Sequence, residues 1–317
     1  MGEQTAVAPG QRITVTVPAT SANLGPGFDA LGLAVGLFDT LEVETTDEPR
    51  TVVEVSGEGE DVLPRDETHL VARILRGRWA ALGAEPSGLR LRAVNRIPHG
   101  RGLGSSAAAV VSGLLAADAL LPEPLRARAG GLAGVFAEAT RIEGHPDNVA
   151  PALHGGLVLS YEPGGGPARA VDLDLAAGIV PVVAVPDVEL STHRARSLLP
   201  ASVPHSHAAA NSARVGLLVA ALGGRPSLLL DATEDYLHQG FRAEAMPDSA
   251  RLIAALRAEG AAAVVSGAGP TVLAFADGPG DAERIGGLIA AATAGSAVRW
   301  RVLMPGVDRD GAKVEVH

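Results

Sequence analysis

The run Pro98-His99-Gly100-Arg101-Gly102-Leu103-Gly104-Ser105-Ser106-Ala107-Ala108 constrains this chain more than any other feature. Spaced glycines and two serines stand directly before an alanine-rich helical stretch. Glycine permits tight turns and close approach of the backbone to a ligand. A helix start adds free N–H groups and the positive end of the helix dipole. Together they make a site for an anion, phosphate above all. The serine hydroxyls can add a phosphate donor or an oxygen ligand for Mg2+. In isolation the same run also reads as a glycine turn with a serine cap.

The run is not a Walker A loop, which needs lysine directly after its last glycine. Here Ser105 follows Gly104, and the only lysine in the chain is Lys313. A protein-kinase-like strand lysine is excluded on the same ground. A nucleotide held here meets backbone amides, hydroxyls and arginine.

Pro-x3-Gly-Leu-Gly-Ser-Ser-Ala resembles the phosphate loop of the GHMP kinases, small-molecule kinases named for galactose, homoserine, mevalonate and phosphomevalonate. Two further runs resemble family motifs in the same order. One is Val17-Pro18-Ala19-Thr20-Ser21-Ala22-Asn23-Leu24-Gly25-Pro26-Gly27-Phe28-Asp29, the other Ser266-Gly267-Ala268-Gly269-Pro270-Thr271. The resemblance implies ATP and Mg2+ as cofactors, with residues 98–108 on the ATP phosphates. It also implies an α+β fold in two domains, S5-like at the N-terminus and ferredoxin-like at the C-terminus. The glycine-rich stretch Tyr161–Ala168 is the clearest linker, so the domains are expected at 1–163 and 164–317.

The pattern of residues fits that plan. Arg12–Val17 alternates as a half-buried strand, and Leu41–Glu44 and Thr51–Val55 read as further strands. His69–Leu82, Ser105–Leu120 and Leu132–Ile142 read as helices, the last ended by Gly144. Leu89–Ile97 reads as the strand entering the glycine run. In the second half, Ile179–Val185 reads as a buried strand and Ser206–Leu222 as a helix. Ala261–Val265 and Thr271–Phe275 read as short strands around a glycine turn. Asp281–Ala292 reads as a helix, and Val298–Val302 as a strand.

Composition narrows the class of partner. Hydrophobic residues are 47% of the chain but aromatics only 3%, so the core is built from Ala, Val, Leu and Ile. A net charge of −10 argues against nucleic acid or an anionic membrane as partner. The absence of cysteine excludes disulfides, thiolate metal sites and cysteine nucleophiles. No apolar run reaches membrane-spanning length. Met1-Gly2-Glu3-Gln4-Thr5-Ala6 lacks the order of a signal peptide and the hydroxyl residue of a myristoylation site. The expectation is a cytoplasmic protein; a homodimer is common in the family.

The first motif, Ala-Thr-Ser-Ala-Asn-Leu-Gly-Pro-Gly-Phe-Asp, resembles the family branch whose acceptor is L-homoserine. Such a substrate carries an ammonium, a carboxylate and a hydroxyl. It needs an anion for the first and a fork of donors for the second, which arginine supplies best. Asn23 and Asp29 are candidates for its polar end, although both are also ordinary turn residues. By resemblance, Thr192 and Arg196 in Ser191–Arg196 lie near the hydroxyl and transferring phosphoryl group. Arg196 and Arg242 bind the carboxylate, while His145 and Asn148 line the substrate.

Glu143 and Ser106 are the candidate Mg2+ ligands, since Mg2+ prefers hard oxygen donors; Glu138 is the fallback carboxylate. Asp147 is a candidate catalytic base, though phosphoryl transfer can also proceed on positioning and charge stabilisation. Gly267 and Gly269 are expected to face the phosphate loop. His205-Ser206-His207 reads as a loop and helix start rather than a metal site. Val62 and Leu70 are candidate neighbours of an adenine ring, with His69 standing where the family often has asparagine. A kinase of another small alcohol, or a metabolite-binding regulator on this fold, stays open at this point.

Overall fold

The computed structural model describes residues 5–86 and 88–317. Met1–Gln4, part of the leader reading above, lie outside them. The chain begins with β1 (Thr5–Val7), β2 (Arg12–Ala22), β3 (Leu31–Thr46) and β4 (Thr51–Gly57). Helix α1 (Leu70–Leu82), β5 (Ala84–Pro86) and β6 (Gly88–Asn95) follow. The glycine run then enters α2 (Ser105–Ala119), with α3 (Glu123–Arg128), α4 (Gly131–Glu143) and α5 (Val149–His154) behind it. Strands β7 (Leu157–Tyr161) and β8 (Arg169–Leu173) close the first half. The second half runs β9 (Ile179–Pro186), α6 (Thr192–Ser197), α7 (His205–Leu222), α8 (Leu229–Ala232), α9 (Gln239–Arg242) and α10 (Pro247–Ala258). It ends with β10 (Ala262–Val265), β11 (Val272–Asp277), α11 (Pro279–Thr293), β12 (Trp300–Leu303) and β13 (Lys313–Val316).

The first sheet has the order β13-β2-β3-β6-β4. On its edge away from β2, strand β3 is long enough to serve two partners: Thr40–Thr46 pair with β6, and Leu31–Leu33 pair with β7. Opposite Pro18 and Ala19, at the start of the first motif, the register shifts because Gly36 and Leu37 of β3 are extra residues in the ladder. The second sheet, β10-β11-β9-β12, is antiparallel throughout. The short strands β1 and β5 pair in parallel beside the main layers.

Helix α2 is the spine of the first domain. Its alanines, valines and leucines are buried on nearly every side, which is why the stretch lacks an apolar stripe. It packs against α1, α4, α5 and β2. Alanine keeps those neighbours close. In the second domain, β9 alternates between two cores. Val183 and Val185 join the large core shared with the first domain, while Val182 and Ala184 join the core under α10 and α11. A strand covered on both faces reads as one unbroken apolar run.

The first sheet runs across the expected boundary at residues 163 and 164. Residues 161–168 connect two strands paired to each other, Leu157–Tyr161 with Arg169–Leu173. The first sheet therefore continues past residue 163, and β13 also returns to it beside β2. A glycine-rich turn marks a hairpin as readily as a linker. No helix among the described residues is long and apolar enough to cross a membrane.

Candidate active site

The three motifs meet at one place. Leu103 O accepts from Thr20 N at 3.1 Å, joining the phosphate loop to β2. Gly267 N donates to Ala22 O at 3.0 Å, and Thr271 N to Arg101 O at 3.3 Å. Ser266 Oγ donates to Gly102 O at 2.6 Å and lies 2.8 Å from Ser21 Oγ. A Cβ on Gly102 would sit 2.2 Å from Ser266 O. The third motif thus buttresses the loop from behind, and Gly267, Ala268 and Gly269 line the cavity in front.

Gly104 is the N-cap of α2 at φ 71°, and no side chain caps the helix there. The first amides of a long buried helix are left for a ligand. A Cβ at Gly104 would meet Thr20 Oγ1 at 1.9 Å and Asn148 Oδ1 at 3.1 Å. Gly100, Gly102, Gly104, Ser105, Ser106 and Ala107 line a polar cavity of about 130 Å³. Of the rest of the loop, His99 lines the adjoining apolar cavity. Leu103 and Ala108 are core residues, and Pro98 lies outside both cavities of the site. Arg101 turns its guanidinium away, donating to the carbonyls of Pro186, His99 and Asp187. Its charge docks the second domain because those carbonyls lie within reach behind the loop.

Every expected substrate residue lines the polar cavity: Asn23, Asp29, His145, Asn148, Arg196 and Arg242, with Thr192, Asp147 and Glu143. Asn23, Leu24 and Asp29 all have positive φ, a cost usually confined to functional loops. Asn23 locks that turn: its Oδ1 accepts from Asp29 N at 2.9 Å and its Nδ2 donates to Gly267 O at 2.8 Å. Asp29 receives both Nη atoms of Arg196, at 3.1 and 2.6 Å. Thr20 Oγ1 donates to Asn148 Oδ1 at 2.8 Å, fixing Asn148 beside the helix start.

Arg242 is 1% exposed. Its Nη1 lies 3.2 Å from His238 Nδ1 and 3.3 Å from Gly267 O. Burial, then repulsion by Arg196, pulls its pKa down. Burial likewise lowers the pKa of His145, with Arg196 adding to it. Asp147 is 3% exposed. Burial and then the neighbouring Asp29 charge push its carboxyl up to about 7, against the pull of Arg196. Gly32 of β3 makes room for it, since a Cβ there would lie 2.0 Å from Asp147 O. Three buried polar atoms around this cavity have no hydrogen-bond partner: His145 Nδ1, Arg196 Nε and Arg242 Nε. Buried donors without partners are uncommon and mark ligand sites well.

Ser106 Oγ donates to Glu143 Oε1 at 2.6 Å. Glu138 faces elsewhere, holding Arg141 with both oxygens at 2.9 and 2.6 Å. The hydroxyl and free carboxylate at the cavity mouth fit a hard cation that takes its remaining ligands from phosphate and water. Among the described residues, no group of three or more His, Asp or Glu forms a ready-made metal site.

A second, largely apolar cavity of about 310 Å³ adjoins the first and shares Ser105 and Ser106 with it. Leu41, Leu63, Leu70, Val71, Ala93 and Ala109 supply its walls. Leu70 lines this cavity, while Val62 is 80% exposed and lies outside it. His69 is buried in this wall and caps α1, its Nδ1 accepting from Val71 N at 3.3 Å.

Sequence reasoning passed over Thr20 and Phe28, which stand inside the first motif, and His238, four residues before Arg242. Their signal was adjacency to assigned residues. The walls of the apolar cavity had no local signal.

The family description "GHMP kinases N terminal domain" matches residues 69–156, and "GHMP kinases C terminal" matches 217–287. A homoserine kinase of Streptomyces coelicolor is 50% identical over 95% of this chain and 94% of its own length. One from Clavibacter michiganensis is 49% identical over 99% and 97%. The crystal structure of homoserine kinase from Cytophaga hutchinsonii superposes with a TM-score of 0.83 at 30% identity. It covers 96% of this chain and 97% of that one.

Proposed function

The chain belongs to the GHMP kinase family, and on that premise we propose that it transfers the γ-phosphoryl group of ATP to the hydroxyl of L-homoserine. The product is O-phospho-L-homoserine, a step toward threonine. The observation that carries the reading is the polar cavity itself. Unpartnered Arg196 Nε, Arg242 Nε and His145 Nδ1 stand around it with the Asp29 carboxylate. An amino-acid alcohol presents the complementary set: a carboxylate for the arginines, an ammonium for Asp29 and a hydroxyl to be phosphorylated.

The apolar cavity adjoining Ser105 and Ser106 supports a nucleoside base on that side, with its phosphates on the amides of residues 100–107. Ser106 and Glu143 would hold Mg2+, which when bound neutralises phosphate charge during transfer. Arg196 offers positive charge to the transferring group, and Thr192 lines the same mouth. Asp147, poised near neutrality, can take the hydroxyl proton at physiological pH. The family resemblance further supports a cytoplasmic homodimer, which sedimentation tests directly.

The experiment is a coupled ADP-release assay with Mg-ATP against L-homoserine, mevalonate, galactose and L-serine. Selective turnover of L-homoserine is the expected result. ATP binding without turnover of any of the four would replace the reading with a different alcohol or a silent regulator.

A further inference from the structure

Phe28 has no role in the reading so far, yet its ring is the common neighbour of the charged groups. The guanidinium carbon of Arg196 lies 5.6 Å from the ring centroid, and that of Arg242 lies 5.4 Å from it. The imidazole of His238 stacks on the same ring at 5.2 Å with planes 25° apart. His238 Nε2 is 2.8 Å from Gly25 O, so it must carry the proton and donate. That leaves the Nδ1 lone pair to accept from Arg242 Nη1. A second proton on the ring would set N–H against N–H. The backbone amides of His238 and Gln239 anchor this segment to Asp235 Oδ2 at 3.1 and 2.6 Å.

Two guanidinium groups this close repel each other, and burial of Arg242 aggravates the repulsion. An aromatic face attracts cations through its quadrupole and asks for no hydrogen bond in return. It therefore adds to the hold on both arginines without using a donor: the Nη atoms of Arg196 go to Asp29 and Nη1 of Arg242 faces His238 and Gly267, while both Nε atoms stay open to a ligand. The unpartnered Nε atoms of Arg196 and Arg242 are the donors so preserved.

We propose that Phe28, backed by His238, is a positioning residue that sets Arg196 and Arg242 at the spacing needed to grip one substrate carboxylate together. The inference rests on the reading of the cavity as an amino-acid alcohol site. Phe28 touches no reacting atom. Its loss weakens the grip on the acceptor and leaves the nucleotide side alone, because neither Phe28 nor His238 lines the apolar cavity or the phosphate loop.

The test compares the wild-type enzyme with Phe28→Leu and Phe28→Tyr, measuring KM for L-homoserine, KM for ATP and kcat. Wild-type turnover of L-homoserine is checked first, so failure of the substrate reading is seen separately. Phe28→Leu is expected to raise KM for L-homoserine about tenfold, the scale of two lost cation–π contacts, with KM for ATP unchanged. Phe28→Tyr keeps the face and is expected to stay near wild type. Fluorinated phenylalanines at position 28 keep the shape and drain the face, so they remain informative if Phe28→Leu fails to fold. KM for L-homoserine should climb with each added fluorine. An unchanged KM across the fluorine series, or equal rises in both KM values, would overturn the proposal.

Discussion

Replacing Asp147 by asparagine should make the protein more stable and less active, by amounts that depend on pH. Asp147 is buried and its carboxyl is pushed up from 3.8 to about 7 by burial and Asp29. A raised acid pKa means the folded state holds the proton more tightly than the unfolded chain. The cost of ionisation is therefore absent below about pH 4, grows through the window from about 4 to 7, and is complete above it. The gap between 3.8 and about 7, at 1.36 kcal/mol per unit, corresponds to about 4 kcal/mol. Asparagine keeps the shape and cannot ionise. At pH 8 the variant should unfold at the higher temperature and denaturant concentration. Its advantage should shrink by about 1.4 kcal/mol for each pH unit below 7. Urea and thermal unfolding of both proteins at pH 5, 6, 7 and 8 measure this. Activity moves the other way: the variant should lose roughly a hundredfold or more in kcat, and the acid limb near pH 7 should vanish with it. A stability gap that stays constant with pH, or widens on acidification, would refute the electrostatic argument.

Three further outcomes follow from the geometry. Glu143→Gln should raise the Mg2+ concentration needed for half-maximal activity by roughly tenfold or more, while Glu138→Gln should not; the reverse pattern in a Mg2+ titration would move the metal to Glu138. Arg196→Ala should greatly reduce turnover, and Arg196→Lys should restore little of it, with kcat/KM for L-homoserine still down roughly a hundredfold, because lysine keeps the charge and lacks the fork. Wild-type-like kinetics in either variant would remove Arg196 from the site. Gly104→Ala forces a side chain into a left-handed backbone and onto Thr20 Oγ1; the backbone part alone costs about 1–2 kcal/mol, so a lower melting temperature with weaker ATP binding is expected, and normal values for both would clear Gly104.

Much of the site was legible because its chemistry is local. Gly102, Gly104, Ser105 and Ser106 announce an anion site by residue type and spacing, and they line the cavity as expected. Arg196 and Arg242 were legible only through resemblance, since a lone arginine carries no positional signal. The carbonyl partners of Arg101, Pro186 and Asp187, lie far along the chain and leave no local signal. Phe28 and His238 meet only once the first and third quarters of the fold are folded together. The apolar cavity is assembled from β3, β6, α1 and α2, and no window of sequence contains it. Helices α1, α2, α4, α7 and α11 and the strands of the second sheet were found within a residue or two, but α10 was missed, and β2 and β3 run well past the stretches read from alternation. Strands β1, β5, β7, β8 and β13 were missed because three to five residues are too few to show clear alternation, as the exposed β13 illustrates.

The return of β13 to β2 has a consequence for how the protein is made. A ribosome releases residues 12–22 long before residues 313–316. Throughout synthesis of the second domain, one edge of β2 therefore stands bare, offering unpaired amides and carbonyls to any passing strand. Residues 313–316 act as a late seal on the first sheet. Stopping the chain early would leave the nascent enzyme open along that seam, whatever the state of its catalytic cleft.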